Sequence, residues 1–175
     1  MEVSNTTNEF PCDYSSLGQY GKAKGILGEV ICKLVKNDEG IIASSNDIIV
    51  TVGCQEAIFL CLLLLAKNPN DVILVEDPSY VGVLGAAKTL GIEVVPVPTD
   101  DNGIVLDNLS VIVANLKKRG KNPRLLYTSP DFSNPSGATT DLSHRLKLLE
   151  LTREMNLTVL EDHAYSYFYL RDKTK

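Results

Sequence analysis

The sequence predicts an α/β fold, a three-layer arrangement in which a mostly parallel sheet carries helices on both faces. Three observations lead there. Short apolar runs alternate with longer segments of helical periodicity from Asn46 to Leu160. Strands joined through helices at this pitch call for right-handed crossovers, hence parallel pairing and burial on both faces. The chain of 175 residues, 44% hydrophobic and 22% charged, is long and apolar enough to build one sizeable core.

Each element has its own signal. The first two dozen residues are polar and rich in turn formers, with Pro11, Gly18, Gly21 and Gly25, and read as an arm or ordered loop. Ile26, Leu27, Val30, Ile31, Leu34 and Val35 recur at helical spacing and predict one amphipathic helix. Arm and helix together form a first region, residues 1–40, and the remainder, 41–175, forms the main domain. Asn46-Asp47 precede a β-branched run, Ile48 to Val52, which predicts a strand. Cys54 to Ala66 reads as a helix apolar nearly all round and therefore buried, and Val72 to Val75 as a short strand. Ser79 to Leu90 is helical, with small residues at Gly82, Gly85, Ala86 and Ala87, and Ser79 or Asp77 is placed to cap it. Ile92 to Val97 is the next strand, and Asp107 N-caps an amphipathic stretch through Leu109, Ile112, Val113 and Leu116. Leu125 to Tyr127 is a strand, Asp141 to Met155 a helix carrying Leu142, Leu146, Leu149 and Leu151, and Leu157 to Leu160 a last strand.

Composition narrows the function classes. With 17 basic and 22 acidic residues the net charge is -5, and no basic stripe accompanies an aromatic array, so neither nucleic acid nor an anionic membrane is an expected partner. The longest apolar run, Ala57 to Ala66, is too short to span a bilayer, and Met1 is followed by polar residues, which makes the cytosol the expected compartment. Cys12, Cys32, Cys54 and Cys61 show no C-x-x-C and no Cys/His metal spacing, so reduced thiols are expected rather than a disulfide framework or metal site. Cys54 and Cys61, seven apart on one helix, read as core packing.

Parallel strands aim their carboxyl ends at one rim, where open α/β sheets bind ligands. The residues leaving each strand are therefore the candidates. Gly53 permits a tight turn, serving either a plain strand-to-helix connection or a helix N-terminus whose amides at Cys54 and Gln55 face a phosphate. Tyr80, after Glu76-Asp77-Pro78-Ser79, offers a flat ring for stacking on a planar ligand or for packing. Pro123 to Gly137 runs from a strand into a turn stiffened by Pro130, Pro135 and Gly137, and Asn134 presents a short amide there. Asp162 ends an apolar strand, where a carboxylate needs a cationic or hydrogen-bonding partner, and Tyr165 follows within reach of it.

Thr51-Val52-Gly53-Cys54-Gln55-Glu56-Ala57, Glu76-Asp77-Pro78-Ser79-Tyr80, Asn134-Pro135-Ser136-Gly137 and Asp162-His163-Ala164-Tyr165 together resemble the fold-type I, class I/II pyridoxal-phosphate (PLP) aminotransferases. The resemblance is greatest to the broad-specificity group that includes aromatic and aminoadipate aminotransferases, and to the aminotransferase-like domains of MocR-type regulators. It runs from about Tyr20 to Tyr165 in the family's order and spacing. It implies an N-terminal and partial large-domain portion of that fold, binding pyridoxal 5'-phosphate and moving an amino group between an amino acid and a 2-oxo acid. Gly53, Cys54 and Gln55 would hold the cofactor phosphate, with Cys where the family more often has Ser. Tyr80 would stack on the pyridine ring, Asn134 and Tyr165 would donate to its phenolic oxygen, and Asp162 would pair with its ring nitrogen. Tyr20 resembles the tyrosine that reaches the phosphate of a partner subunit in a homodimer, although Glu29-Val30 stands where the family has Leu-Arg.

The resemblance also implies what these residues lack. The family's Schiff-base lysine lies a few tens of residues after the Asp matched by Asp162, and neither Lys173 nor Lys175 has its Ser-x-x-Lys setting. Two further strands would insert between the first strand and the strand ending at Tyr127. A truncated product, a fragment or one piece of a split protein is the expectation, poorly stable and inactive in isolation. The competing readings are a non-catalytic PLP-binding or sensor domain, and a Rossmann-type nucleotide binder whose glycine fingerprint is absent.

Overall fold

A computed structural model of the chain describes residues 21–22 and 26–165. It comprises two compact units, residues 1–56 and residues 57–175. In the first, strand β1 (Gly21–Lys22) pairs antiparallel with β2 (Ile49–Val50). Helix α1 (Ile26–Glu39) runs one turn beyond its predicted end and leaves Leu27, Val30 and Leu34 exposed. The predicted first strand is thus shorter than its β-branched run, and its partner is β1 rather than the parallel sheet.

The second unit is built on a five-stranded sheet in the order β5-β4-β3-β6-β7, from β3 (Asp71–Asp77), β4 (Glu93–Asp100), β5 (Gly103–Ile104), β6 (Asn122–Thr128) and β7 (Thr158–Glu161). All pairs are parallel except the β4–β5 hairpin. Because β3 lies at the centre, both of its faces are covered, and side-chain alternation sorts them. Val72 and Leu74 pack with Val97, Leu126, Leu109, Val113, Leu116 and Leu148, beneath α4 (Leu106–Lys118) and α5 (Leu142–Met155). Ile73 and Val75 pack with Leu125, Tyr127, Ile58, Leu62, Val83 and Ala87, beneath α2 (Cys54–Leu65) and α3 (Val81–Leu90). This is the predicted three-layer architecture, and each fully buried Val or Leu contributes roughly 1.5–3 kcal/mol of transfer free energy.

Asp71 sets where β3 begins. Its carboxylate accepts from the Lys67 and Asn68 amides at 3.0 and 2.9 Å and from Asn122 Nδ2 at 2.6 Å, which joins the starts of β3 and β6. At the other side of β3, Pro96 and Pro98 sit in β4 opposite Val75 and Asp77. They share one parity, so the N–H groups they lack lie on the side of β4 away from β3.

Several expectations are corrected. Helix α2 buries only the stripe Ile58–Leu62 fully, with Leu60, Leu63 and Leu64 exposed, because a helix laid on a sheet presents one face to it. Its Cys54 is exposed rather than core, while Cys61 is half-buried and burial pushes its thiol pKa up; neither they nor Cys32 form a disulfide among the described residues. Helix α3 starts from Tyr80, with no side-chain cap from Ser79 or Asp77. Helix α4 starts from Val105, whose amide donates to the Pro98 carbonyl at 2.9 Å, so the hairpin delivers the chain into the helix before Asp107 is reached. In α5 the buried positions are Leu148 and Thr152, and Leu142, Leu146 and Leu149 face solvent. The strand ending at Tyr127 has no opening for inserted strands, since β6 is flanked by β3 and β7. No helix among the described residues is long and apolar enough to cross a membrane.

Candidate active site

The parallel register sets the ends of three strands side by side. Val75 pairs with Tyr127 and Tyr127 with Leu160, so Glu76, Thr128 and Glu161-Asp162 emerge at one rim. The Asp162 amide continues the ladder by donating to the Thr128 carbonyl at 2.9 Å, and Ser129 Oγ donates to the Asp162 carbonyl at 3.2 Å.

Asp162 is 9% exposed, and donors hold its carboxylate. The Tyr127 phenol, itself 1% exposed, donates to Oδ2 at 2.6 Å, and the Ala164 amide donates to Oδ1 at 3.1 Å. Next to it, a hydrogen bond between Glu161 and His163 lowers the Glu161 pKa. A carboxylate fixed in this way at a strand end can keep a heterocyclic nitrogen protonated.

The turn after β6 is held from two directions. On one side Glu76, 4% exposed, accepts from Thr128 Oγ1, from the Ser129 amide at 3.1 Å and from Ser133 Oγ at 2.9 Å. Burial raises its pKa, and the three donors oppose the rise. On the other side Asp131, 2% exposed, accepts a two-pronged bond from the Arg145 guanidinium at 2.7 and 3.2 Å. Arg145 also donates to the carbonyls of Thr140 and Pro130 at 2.8 and 3.2 Å. Within the turn the Gly137 amide reaches the Ser133 carbonyl at 2.6 Å and the Ser133 amide the Ala138 carbonyl at 2.9 Å. The Asn134–Pro135 peptide is cis.

Asn134 stands on this braced turn, and its Nδ2 donates to the Tyr165 phenol oxygen at 3.2 Å. An amide and a phenol in hydrogen-bond contact can converge on one acceptor, and Tyr165 remains 36% exposed to meet it. Tyr80 leaves the neighbouring strand and packs half-buried against the Ile73–Tyr127 cluster, so the packing reading of its ring is realised in part.

Gly53, Cys54 and Gln55 lie in the first unit. Gly53 has a φ of 157°, which residues with side chains rarely adopt, and no atom lies within 4 Å of where its Cβ would be. Cys54 and Gln55 open the 12-residue α2, whose first turn directs its amides outward along the axis. Glu56 steadies the entry by accepting from the Val52 amide at 2.8 Å. Tyr20 lies outside the described residues.

Sequence reading brought Asn134, Asp162 and Tyr165 forward but assigned no task to Glu76, Tyr127, Asp131 or Arg145. For Glu76 a signal existed, a carboxylate continuing the apolar run Val72–Val75. The other three act across tertiary contacts that no local pattern marks.

Comparison with known proteins bears on the family and the fold. The family model for aminotransferase class I and II matches residues 13–175. A (S)-3,5-dihydroxyphenylglycine transaminase of Amycolatopsis orientalis is 39% identical over 153 residues, 87% of this chain and 35% of that protein. Among solved structures, an archaeal alanine:glyoxylate aminotransferase matches with a TM-score of 0.76 and 31% identity over 90% of this chain and 38% of that one. A Pyrococcus horikoshii kynurenine aminotransferase, solved in complex with PMP, matches with a TM-score of 0.73 and 34% identity over 90% of this chain and 39% of that one. The chain therefore spans little more than a third of the length of these relatives. On its matched residues and its fold, the chain belongs to the class I and II aminotransferase family.

Proposed function

We propose that this chain carries the cofactor-ring contacts of a PLP-dependent aminotransferase that moves an amino group between an amino acid and a 2-oxo acid. The observation that carries the reading is the Asn134–Tyr165 pair at 3.2 Å, with Tyr165 three residues after the buried, donor-held Asp162. The donor set fits PLP: a carboxylate for the ring nitrogen, and an amide with a phenol for the phenolic oxygen. A helix N-terminus behind a positive-φ glycine suits its phosphate. When bound, PLP supplies an electron sink for the carbanion left by loss of the substrate's α-proton.

The chain's own residues prepare that chemistry. Asp162, oriented by Tyr127, keeps a proton on the ring nitrogen. Asn134 and Tyr165 would donate to the phenolic oxygen. Tyr80 would stack on the ring. The amides of Cys54 and Gln55 hold the phosphate, with Gly53 letting the backbone approach, and Tyr20 serves the partner subunit's phosphate in a homodimer. No lysine of this chain is assigned the covalent role. The substrates are an amino acid and a 2-oxo acid that accepts its amino group.

The test is a PLP titration of the chain followed by visible absorbance. Saturable binding that D162A weakens and shifts spectrally supports the reading; absence of saturable binding overturns it. Borohydride treatment separates two forms of it. Reversible binding with no fixation favours a pocket that relies on a lysine elsewhere, or a sensor domain, over a self-sufficient enzyme.

A further inference from the structure

Glu76 is a buried carboxylate that the proposed chemistry does not use. It continues an apolar strand, and an apolar side chain there would pack without desolvating a charge. What it does instead is span the turn after β6. Oε1 takes the Ser129 amide and the Thr128 hydroxyl at the start of the turn, and Oε2 takes the Ser133 hydroxyl at 2.9 Å, one residue before Asn134. Asp131 and Arg145 brace the same turn through Pro130 and Thr140. Glu76 bonds the residue next to the one donating to Tyr165.

We infer that Glu76 is a positioning residue, which sets the Asn134–Tyr165 pair in its cofactor-binding geometry by holding Ser133. This rests on the PLP reading given above. A glutamine can fill the same role, since its Oε1 still accepts from Ser129 and Thr128 while Nε2 donates to the Ser133 oxygen. Alanine cannot. The raised pKa of Glu76 is in keeping with a task that needs the acceptors and the shape rather than the charge.

The experiment is a double-mutant cycle read by PLP titration of the full chain. E76A is expected to weaken PLP by about tenfold, the scale of one effective hydrogen bond, with E76Q within about twofold of wild type. S133A, which removes the Oε2 link and leaves the other two, should weaken binding in the same direction and decides the matter if E76A does not fold. In an N134A background neither E76A nor S133A should add a further loss, and each single variant should move the visible band of bound PLP the way N134A does. Three results overturn the inference: wild-type affinity in folded E76A and S133A, E76Q as weak as E76A, or losses that persist in full when Asn134 is absent. If the wild-type chain shows no saturable binding, the PLP reading falls and takes this one with it.

Discussion

The side-chain amide of Asn134 donates to the phenol oxygen of Tyr165 at 3.2 Å, a bond between residues 31 apart in the chain. If both donate to the cofactor's phenolic oxygen, as proposed, they should act as a unit. N134A and Y165F are each expected to weaken PLP by about tenfold, roughly 1.4 kcal/mol, and the double variant by clearly less than the product. Titration by absorbance measures all three. Strict additivity would mean that the two do not share an acceptor.

Tyr127 and Asp162 form a buried polar contact of the site, at 2.6 Å. Y127F keeps the ring and its packing but takes one donor from a carboxylate that is 9% exposed. The expected loss is about 1.5–3 kcal/mol, a drop in Tm of roughly 3–12 °C. Thermal denaturation with an unchanged midpoint would show that the bond contributes nothing net.

Arg145 bridges Asp131 and two carbonyls of the turn. R145A takes the guanidinium's two donors from a carboxylate that is 2% exposed, and destabilisation of about 3 kcal/mol is expected, the lower end for a broken buried pair because Arg145 itself is 24% exposed. R145K should restore little, since an ammonium cannot span both oxygens as the guanidinium fork does. Urea denaturation of the two variants decides it, and full rescue by lysine would refute the two-pronged role.

Asp141 caps α5. The His144 amide first, then the Ser143 hydroxyl and the Asn102 amide, hold its pKa at about 2 against an ordinary 3.8. A carboxyl depressed on folding contributes stability that is complete above 3.8 and disappears as pH falls towards 2. D141N keeps a capping oxygen and loses the titration. Its stability should therefore fall less steeply than wild type over that acid range, measured by denaturation at several pH values, and parallel curves would dismiss the cap as the source.

The alternation of strands and helices and the chemistry of strand ends were legible in the sequence because both are written in contiguous residues. Val72–Val75 and Leu125–Tyr127 could hardly be anything but buried strands, and Asn134, Asp162 and Tyr165 follow such strands directly. What escaped depends on meetings at a distance. Nothing near Asp131 announces Arg145, and nothing near Tyr127 announces Asp162. Helix starts failed for a related reason: Val105 precedes Asp107 because Pro98 accepts its amide, and the Ser79 hydroxyl is buried with no bond rather than capping α3.

The two prolines of β4 bear on how copies of this chain meet in concentrated solution. A strand that lacks donors at Pro96 and Pro98 and turns into a hairpin at Asp100–Gly103 offers an incoming strand almost nothing to pair with. Strand-by-strand polymerisation needs two receptive sides. Within the five-stranded sheet the β4 side is thus the poorer template and the β7 side the better one for an incoming strand.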